Sequence, residues 1–300
     1  MRVLLVWLIL CAIWSSTWIF IKFGLDEGLP PVSFAAARFI VATAILLLIL
    51  TARRLSLPRT KREWQLVIAT GLMQFGINYG LLFWGEQYIS SGLAAVLQAT
   101  IPAFGLVIAQ IYLPDEPITA QKILAILLGI GGVAIIFYEQ LNVSGALAFA
   151  GCAAIVVGAF VAAYASVLVK AFGGQMNSVS LLTAQMICGV IPLSIVGFLK
   201  EGNPLYFHWT PMAIFSVLYL ALLGSIAAFW LYYWLLKNMD ATKAMMISLV
   251  TPFAAVLIGN WRLGETLQKQ TLIGGALILL SVGMILLRRK IAKDKDFSLK

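Results

Sequence analysis

The chain has 300 residues, of which 62% are hydrophobic and only 11% are charged. A typical soluble domain is about 45–50% apolar and about 25% charged, so this composition excludes a soluble enzyme, a disordered chain, a coiled coil and a nucleic-acid-binding domain. The net charge of +9 comes mostly from lysines and arginines in short gaps between apolar runs, a pattern that indicates membrane topology. Cys11, Cys152 and Cys188 lie inside apolar runs without metal-ligand spacing, which predicts neither a disulfide nor a metal site.

Ten apolar runs follow one another along the chain. They cover residues 3–21, 32–50, 64–84, 93–111, 123–137, 146–169, 179–199, 212–236, 241–260 and 272–287. Most approach the roughly 20 residues that a helix needs to cross a bilayer. Runs such as residues 45–50 and 278–280 lack the alternation of polar and apolar residues that is typical of a membrane β-barrel. The sequence therefore predicts an all-α integral membrane protein with ten transmembrane helices.

The distribution of basic residues predicts the orientation. With the N-terminus placed in the cytoplasm, sixteen lysines and arginines lie near the inner face and three near the outer face. Because cytoplasmic loops carry the excess of basic residues, both termini are expected to be cytoplasmic.

The two halves of the chain resemble each other in order, with offsets of 147–150 residues. Lys22 aligns with Lys170, Pro102 with Pro252 and Glu116 with Glu265, together with neighbouring apolar and aromatic positions. A fixed period of this kind indicates a duplicated unit. Each unit holds five spans, an odd number, so the second copy enters the membrane from the opposite face. The predicted domains are repeat one over residues 1–137, the inverted repeat two over 144–288, and a basic cytoplasmic tail over 289–300. Inverted repeats are a common plan of secondary transporters.

Several motifs match one family in order and spacing. They are the Trp14–Trp18 segment that leads to Lys22, Arg38 early in the second span, the Ser91–Val96 segment that leads to Pro102, and the Pro114–Pro117 segment, with partial copies in the second half. Over about residues 5–288 the chain resembles the EamA-type members of the drug/metabolite transporter superfamily. The resemblance implies a multi-pass protein of the bacterial inner membrane that transports small metabolites, commonly by exporting amino acids, and it leaves the substrate unidentified.

Pro102 and Pro252 lie near the middle of the fourth and ninth spans. A proline removes a backbone donor and frees the carbonyl four residues earlier, here those of Gln98 and Ser248. Freed carbonyls at membrane depth must find a partner or line a wet cavity, so the two prolines are predicted to kink the helices beside a substrate site. The alternative is that they only bend the helices.

Polar and amphipathic side chains inside the spans define the predicted substrate site. The candidates are Trp14, Thr17, Trp18, Arg38, Gln74, Asn78, Tyr79, Gln98, Tyr164, Trp230 and Ser248. Aromatic rings suit the apolar part of a ligand and amides orient its polar ends. Amides that join neighbouring helices by hydrogen bonds are the alternative interpretation.

Arg38 is the one cation well inside a span, about six residues or roughly 9 Å from the outer end. A charge at that depth is costly unless it is paired or wet. Asp26, Glu27 and Glu86 lie on the same side and are its predicted partners. The two interpretations are a structural ion pair and a charge that binds a substrate carboxylate or gates the site.

The predicted energetics and partners follow from what the sequence lacks. No carboxylate lies in the middle of a span, no Walker pattern is present, and the single histidine, His208, has no nucleophile partner. We therefore expect no cofactor, no metal, no ATP hydrolysis and no enzymatic activity. Because no carboxylate in the middle of a span is present to carry a proton, the sequence favours uniport or exchange over carboxylate-mediated proton antiport. Glycines in the fifth and tenth spans predict close helix packing, either within the chain or at a homodimer contact.

Three functions remain from the sequence. The first is a secondary transporter that exports amino acids or related metabolites by alternating access. The second is an importer or exchanger, such as a sugar-phosphate carrier, which would need several cavity cations. The third is a non-transporting membrane protein, such as a lipid-modifying enzyme or an assembly factor, which leaves the repeat without a purpose. The expected partners are a small-molecule substrate and the lipid bilayer.

Overall fold

The computed structural model describes residues 2–263 and 269–286, and all regular secondary structure in these ranges is helical. We number the helices in chain order as α1 Arg2–Asp26, α2 Pro31–Ala52, α3 Lys61–Gly85, α4 Ser91–Gln98 with Ile101–Tyr112, α5 Ala120–Ile136, α6 Ala146–Phe172, α7 Ser178–Glu201, α8 Pro211–Asn238, α9 Ala241–Met245 with Ile247–Leu263, and α10 Lys269–Leu286. Glu265 and the basic tail 289–300, both of which entered the predictions above, lie outside the described residues.

In the described ranges, nine helices are long and apolar enough to cross a membrane. The remaining apolar helix, α5, has 17 residues, which corresponds to a length of about 26 Å. The protein is therefore a multi-pass α-helical membrane protein.

Helix starts in this chain follow ordinary capping chemistry. Thr60 and Glu63 form a capping box at the start of α3, in which each side chain accepts a hydrogen bond from the backbone of the other residue. Ser90 and Thr119 cap α4 and α5 in the simpler way, by accepting from a backbone N–H three residues later. α2 begins at Pro31, where the missing N–H costs nothing.

Both α3 and α8 contain a π-helical segment, a feature that hydropathy does not predict. The segments are Leu72–Asn78 and Leu220–Ala227, so their limits are 148 and 149 residues apart. A π turn inserts one extra residue into the helical ladder, which displaces side chains and leaves backbone groups available for other contacts. Such turns are often found at functional sites.

The two prolines predicted to kink their helices differ in effect. α4 is interrupted at Ala99 and Thr100, so Pro102 lies in the first turn of the next helical piece, where no N–H is needed. α9 is interrupted at Met246, whereas Pro252 lies inside the continuous piece Ile247–Leu263. The interruption thus precedes Pro102 by two residues and Pro252 by six, and the kinks at the two prolines stay a prediction.

The predicted close packing of the fifth and tenth spans is found within the chain. α5 and α10 lie side by side, and a Cβ added to Gly132 would lie 2.6 Å from the carbonyl oxygen of Gly274. A Cβ on Gly129 would come within 2.9 Å of the Ser281 Oγ. Only glycine permits this backbone approach.

Candidate functional site

A cavity lies between the helices, with about 1070 Å³ of space not filled by protein atoms, open solvent included. Side chains from α1, α2, α3, α4, α6, α8 and α9 line it, so both halves of the chain contribute. The volume and the mixture of aromatic and polar side chains suit a small amphipathic ligand.

Most of the predicted site residues come together at this cavity. Those that line it are Trp14, Thr17, Trp18, Arg38, Gln74, Asn78, Tyr79, Gln98, Ser248 and Pro252. They are separated by up to 238 residues in sequence. Their polarity and their depth inside the predicted spans were the basis for grouping them. Whether they bind a substrate remains a prediction.

Tyr164, Trp230 and Pro102 were predicted to belong to the site but do not line the cavity. In α8, Phe229 and Tyr232 face the cavity, and Trp230 projects to the outside with 51% of its surface exposed. Successive helical residues are about 100° apart, so one position decides between the two faces.

Tyr164 is excluded from the cavity for the same geometric reason. Ala162 and Ser166 are four residues apart on the cavity face of α6, and Tyr164 between them points elsewhere. Its hydroxyl oxygen lies 2.5 Å from that of Tyr112, and the two rings meet edge to face.

Arg38 is 2% exposed and is held by α8 instead of by a carboxylate. Its Nε and Nη2 donate to the Ser225 Oγ at 3.2 and 3.1 Å, and Nη2 also points to the Gly224 carbonyl oxygen at 3.4 Å. The guanidinium carbon lies 5.3 Å from the centre of the Tyr79 ring, close enough for a cation–π contact. These contacts hold the guanidinium of Arg38 among the residues that line the cavity.

The predicted ion pair of Arg38 with Asp26, Glu27 or Glu86 is wrong. No salt bridge within 4 Å joins Arg38 to a carboxylate among the described residues. The π turn of α8 explains the difference, because it presents the Ser225 hydroxyl, which donates in turn to the Leu220 carbonyl oxygen at 2.9 Å.

An aromatic wall forms one side of the cavity. The Trp14 ring packs against Phe229 with centroids 5.6 Å apart and against Tyr232 with centroids 5.4 Å apart. The Tyr232 hydroxyl donates to the Ser166 Oγ at 3.1 Å, which fixes the ring. The wall presents flat apolar surface with its polar atoms already partnered.

Three buried polar atoms that belong to cavity-lining residues have no hydrogen-bond partner among the described residues. They are Oδ1 of Asn78, Nε2 of Gln98 and Oε1 of Glu86. Buried polar atoms are nearly always satisfied in proteins. Five further unpartnered atoms lie on described residues outside the cavity lining, so the missing partner alone does not mark a ligand contact.

Gln185 shows the other role that amides play in these helices. Its Nε2 donates to the Thr70 Oγ1 at 2.6 Å, and its Oε1 accepts from the Tyr233 hydroxyl at 2.6 Å. It is fully buried and joins α3, α7 and α8. Gln185 therefore packs the bundle, whereas Asn78 and Gln98 face the cavity.

The cavity is also lined by five residues outside the set predicted from the sequence, namely Glu86, Phe229, Tyr232, Ser166 and Thr251. For Glu86, the sequence contained a spacing that predicts a place in the cavity lining. Gln74, Asn78, Leu82 and Glu86 are spaced four residues apart and all line the cavity, so the helix face predicted from the first two extends to the last.

A cluster of charges lies at the end of the bundle where α1 begins, since Trp7 Nε1 of α1 donates to the Lys243 carbonyl oxygen. Lys170 Nζ lies 3.0 Å from Glu116 Oε1, and Glu116 Oε2 accepts from the Ala241 backbone N–H at 2.7 Å. Asp240 Oδ2 lies 3.5 Å from Lys122 Nζ and 3.6 Å from Lys243 Nζ. The cluster ties the α4–α5 connection to α6 and to the start of α9.

Comparison with known proteins agrees with this architecture. The model of the EamA-like transporter family matches residues 1–138 and 149–287. The chain belongs to this family. It is 29% identical over 274 residues to the uncharacterized transporter YoaV of Bacillus subtilis, covering 91% of this chain and 92% of YoaV.

Further similarities extend over nearly the whole chain. The uncharacterized inner membrane transporter YedA of Escherichia coli K12 is 30% identical over 282 residues, with 92% of this chain and 87% of YedA covered. A solved crystal structure superimposes with a TM-score of 0.81 at 16% identity, covering 95% of this chain and 96% of the other. At that identity the likeness concerns the fold alone.

Proposed function

We propose that the protein is a secondary transporter that moves small metabolites, amino acids first among them, out of the cell by alternating access. Membership of a transporter family supports the general activity. The observation that carries the finer proposal is the cavity between the helices, which combines one cation, an aromatic wall and three unpartnered polar atoms. Arg38 would bind the substrate carboxylate and the aromatic wall would receive its apolar part.

The proposal includes ten spans arranged as two five-helix repeats, residues 1–137 and 144–288, of opposite topology, with both termini in the cytoplasm. The π segments of α3 and α8 support the repeat, since they occur at equivalent positions of the two halves. Two related halves that exchange conformations give inward-facing and outward-facing states of similar energy. The charge cluster around Glu116 would then close the cytoplasmic side in the described state.

Transport in proteoliposomes tests the proposal. Purified protein is reconstituted, and uptake of labelled amino acids, nucleosides and sugars is compared with that of empty liposomes. Preloading with unlabelled substrate should then accelerate uptake of the labelled form, because a carrier returns faster when it is occupied. Uptake without this counterflow would argue against alternating access, and the absence of uptake for every compound would argue against transport.

A phosphate carrier is less well supported. Arg38 is the one cation among the described residues that line the cavity, and a doubly charged phosphate is usually bound by several. An enzyme is not part of the proposal, since the family consists of transporters.

A further inference from the structure

Glu86 is an acidic residue that lines the cavity and forms no ion pair among the described residues. It follows the last residue of α3, Gly85, and lines the same cavity as Arg38. Its Oε1 is buried without a hydrogen-bond partner, and no cation among the described residues lies within 4 Å of the carboxylate. A carboxylate that is partly removed from water is stabilised in its charged form by a nearby positive group. The described chain supplies no such group within 4 Å, and a cationic group of a ligand would meet this need.

The position of Glu86 along the cavity separates it from Arg38. The Arg38 guanidinium lies beside the ring of Tyr79, and Glu86 follows Tyr79 by seven residues on the same helix. At a rise of 1.5 Å per residue, that spacing corresponds to about 10 Å along the helix axis. The cavity thus carries its positive and negative charges at different depths.

The residues of α3 that line the cavity between these two levels are apolar. They are Leu82 and Phe83. The carboxylate and ammonium at the α-carbon of an amino acid are too close together to reach both levels. A molecule with a polar or anionic end, an apolar spacer and a distal ammonium matches the order of groups along the wall.

We propose that Glu86 binds a distal cationic group of the substrate, so that the cavity prefers amphipathic amines and basic amino acids to ligands without that charge. This inference rests on the proposed transport function. It assigns the carboxylate of Glu86 to the ammonium, the Arg38 end of the cavity to the other polar end, and the apolar residues between them to the spacer.

The assignment is tested with two pairs of probes, and the members of each pair differ by one amino group. Lysine is compared with norleucine, and tryptamine with 3-ethylindole, in proteoliposomes that contain the wild-type protein. The wild type should transport at least one amine at least tenfold faster than its partner. In Glu86→Gln, which keeps the side-chain shape, the ratio within that pair should fall at least tenfold. The exposed Glu139 provides the control, and Glu139→Gln should leave the ratio as in the wild type.

The outcomes separate this inference from the transport function. If the wild type moves other metabolites but favours neither amine, the assignment of Glu86 is overturned and transport stands. An unchanged ratio in Glu86→Gln also overturns it. If the wild type moves no compound of any class, both proposals fail. Monodisperse elution of each variant in detergent shows that it is folded before transport is compared.

Discussion

The ammonium of Lys170 lies 3.0 Å from Oε1 of Glu116, which joins the end of α6 to the connection between α4 and α5. The Lys170 Nζ also donates to the carbonyl oxygens of Leu236 and Met239 at 2.7 and 2.5 Å. Both charged side chains are largely shielded from solvent, with 17% and 6% of their surfaces exposed. One ion pair thus connects residues of the first half with three segments of the second half.

Removing the negative partner should weaken this junction. Glu116→Gln leaves the shielded ammonium of Lys170 without a counter-charge, and breaking such a pair costs about 3 kcal/mol. We expect the midpoint of thermal unfolding of the purified protein to fall by several degrees. Asp115 is the adjacent, exposed carboxylate, and Asp115→Asn should change the midpoint little. Equal effects of the two substitutions would contradict a structural role for the pair.

The close contact of α5 with α10 gives a second stability prediction. A side chain at Gly132 would meet the Gly274 carbonyl oxygen, so Gly132→Val should destabilise the protein by about 1–3 kcal/mol, as overpacking does. Gly131 is its neighbour, and no atom lies within 4 Å of a Cβ placed there. Gly131→Val should therefore be tolerated. The thermal unfolding midpoints of both variants test this prediction. A midpoint of Gly132→Val equal to that of the wild type would show that α5 and α10 separate readily.

The proposed orientation predicts a pattern of chemical labelling. Ser56 precedes α3 and Glu139 follows α5, and both side chains are exposed. In a background without Cys11, Cys152 and Cys188, Ser56→Cys should react with a membrane-impermeant maleimide only in inverted vesicles. Glu139→Cys should react in intact cells. The reverse pattern would place the N-terminus outside and overturn the positive-inside argument.

Sequence reasoning reached the class of fold and most of the cavity because both depend on hydropathy. A polar side chain such as Asn78 inside an apolar run must face other protein or water, so hydropathy alone predicts its direction. The π segments could not be found in this way, because a single inserted residue hardly changes hydropathy. The segment in α8 presents Ser225 to Arg38, for which the sequence pattern predicted a carboxylate partner instead.

The depth of Glu86 shows a second limit of the sequence. A carboxylate at the end of an apolar run resembles a solvated loop residue, and only the neighbouring helices bury its Oε1 beside the cavity. Trp230 shows the converse. It is aromatic and lies deep in a span, yet its side chain is exposed. Which aromatic side chains of α8 face the cavity depends on helix packing, and hydropathy does not predict it.

Arg38 gives a prediction about the substrate carboxylate. Lysine has no planar fork, so Arg38→Lys loses the paired contacts to Ser225. In the proposed mechanism, transport of a carboxylate-bearing substrate should fall at least tenfold through a higher KM. The control is Arg54→Lys, at an exposed position outside the cavity. Full transport by Arg38→Lys, with an unchanged KM, would reduce Arg38 to a packing residue.

The two predicted site tryptophans that the structure separates provide the sharpest test of the cavity. Trp18 lines it, whereas Trp230 lies on the exposed side of α8. Trp18→Ala should impair transport at least tenfold, because it removes apolar surface that would contact the substrate. Trp230→Ala deletes a side chain of the same size and should keep at least half of the wild-type rate.

Gln98 extends the comparison to polar contacts. Its Nε2 has no partner among the described residues, so Gln98→Ala should impair transport without lowering the thermal unfolding midpoint by more than a few degrees. Leu279 of α10 is 60% exposed and away from the cavity, and Leu279→Ala should transport as the wild type does. Initial rates in proteoliposomes with matched protein content measure all four variants. If Trp18→Ala and Gln98→Ala retain the wild-type rate and substrate preference, substrate passes elsewhere and these side chains only pack the bundle.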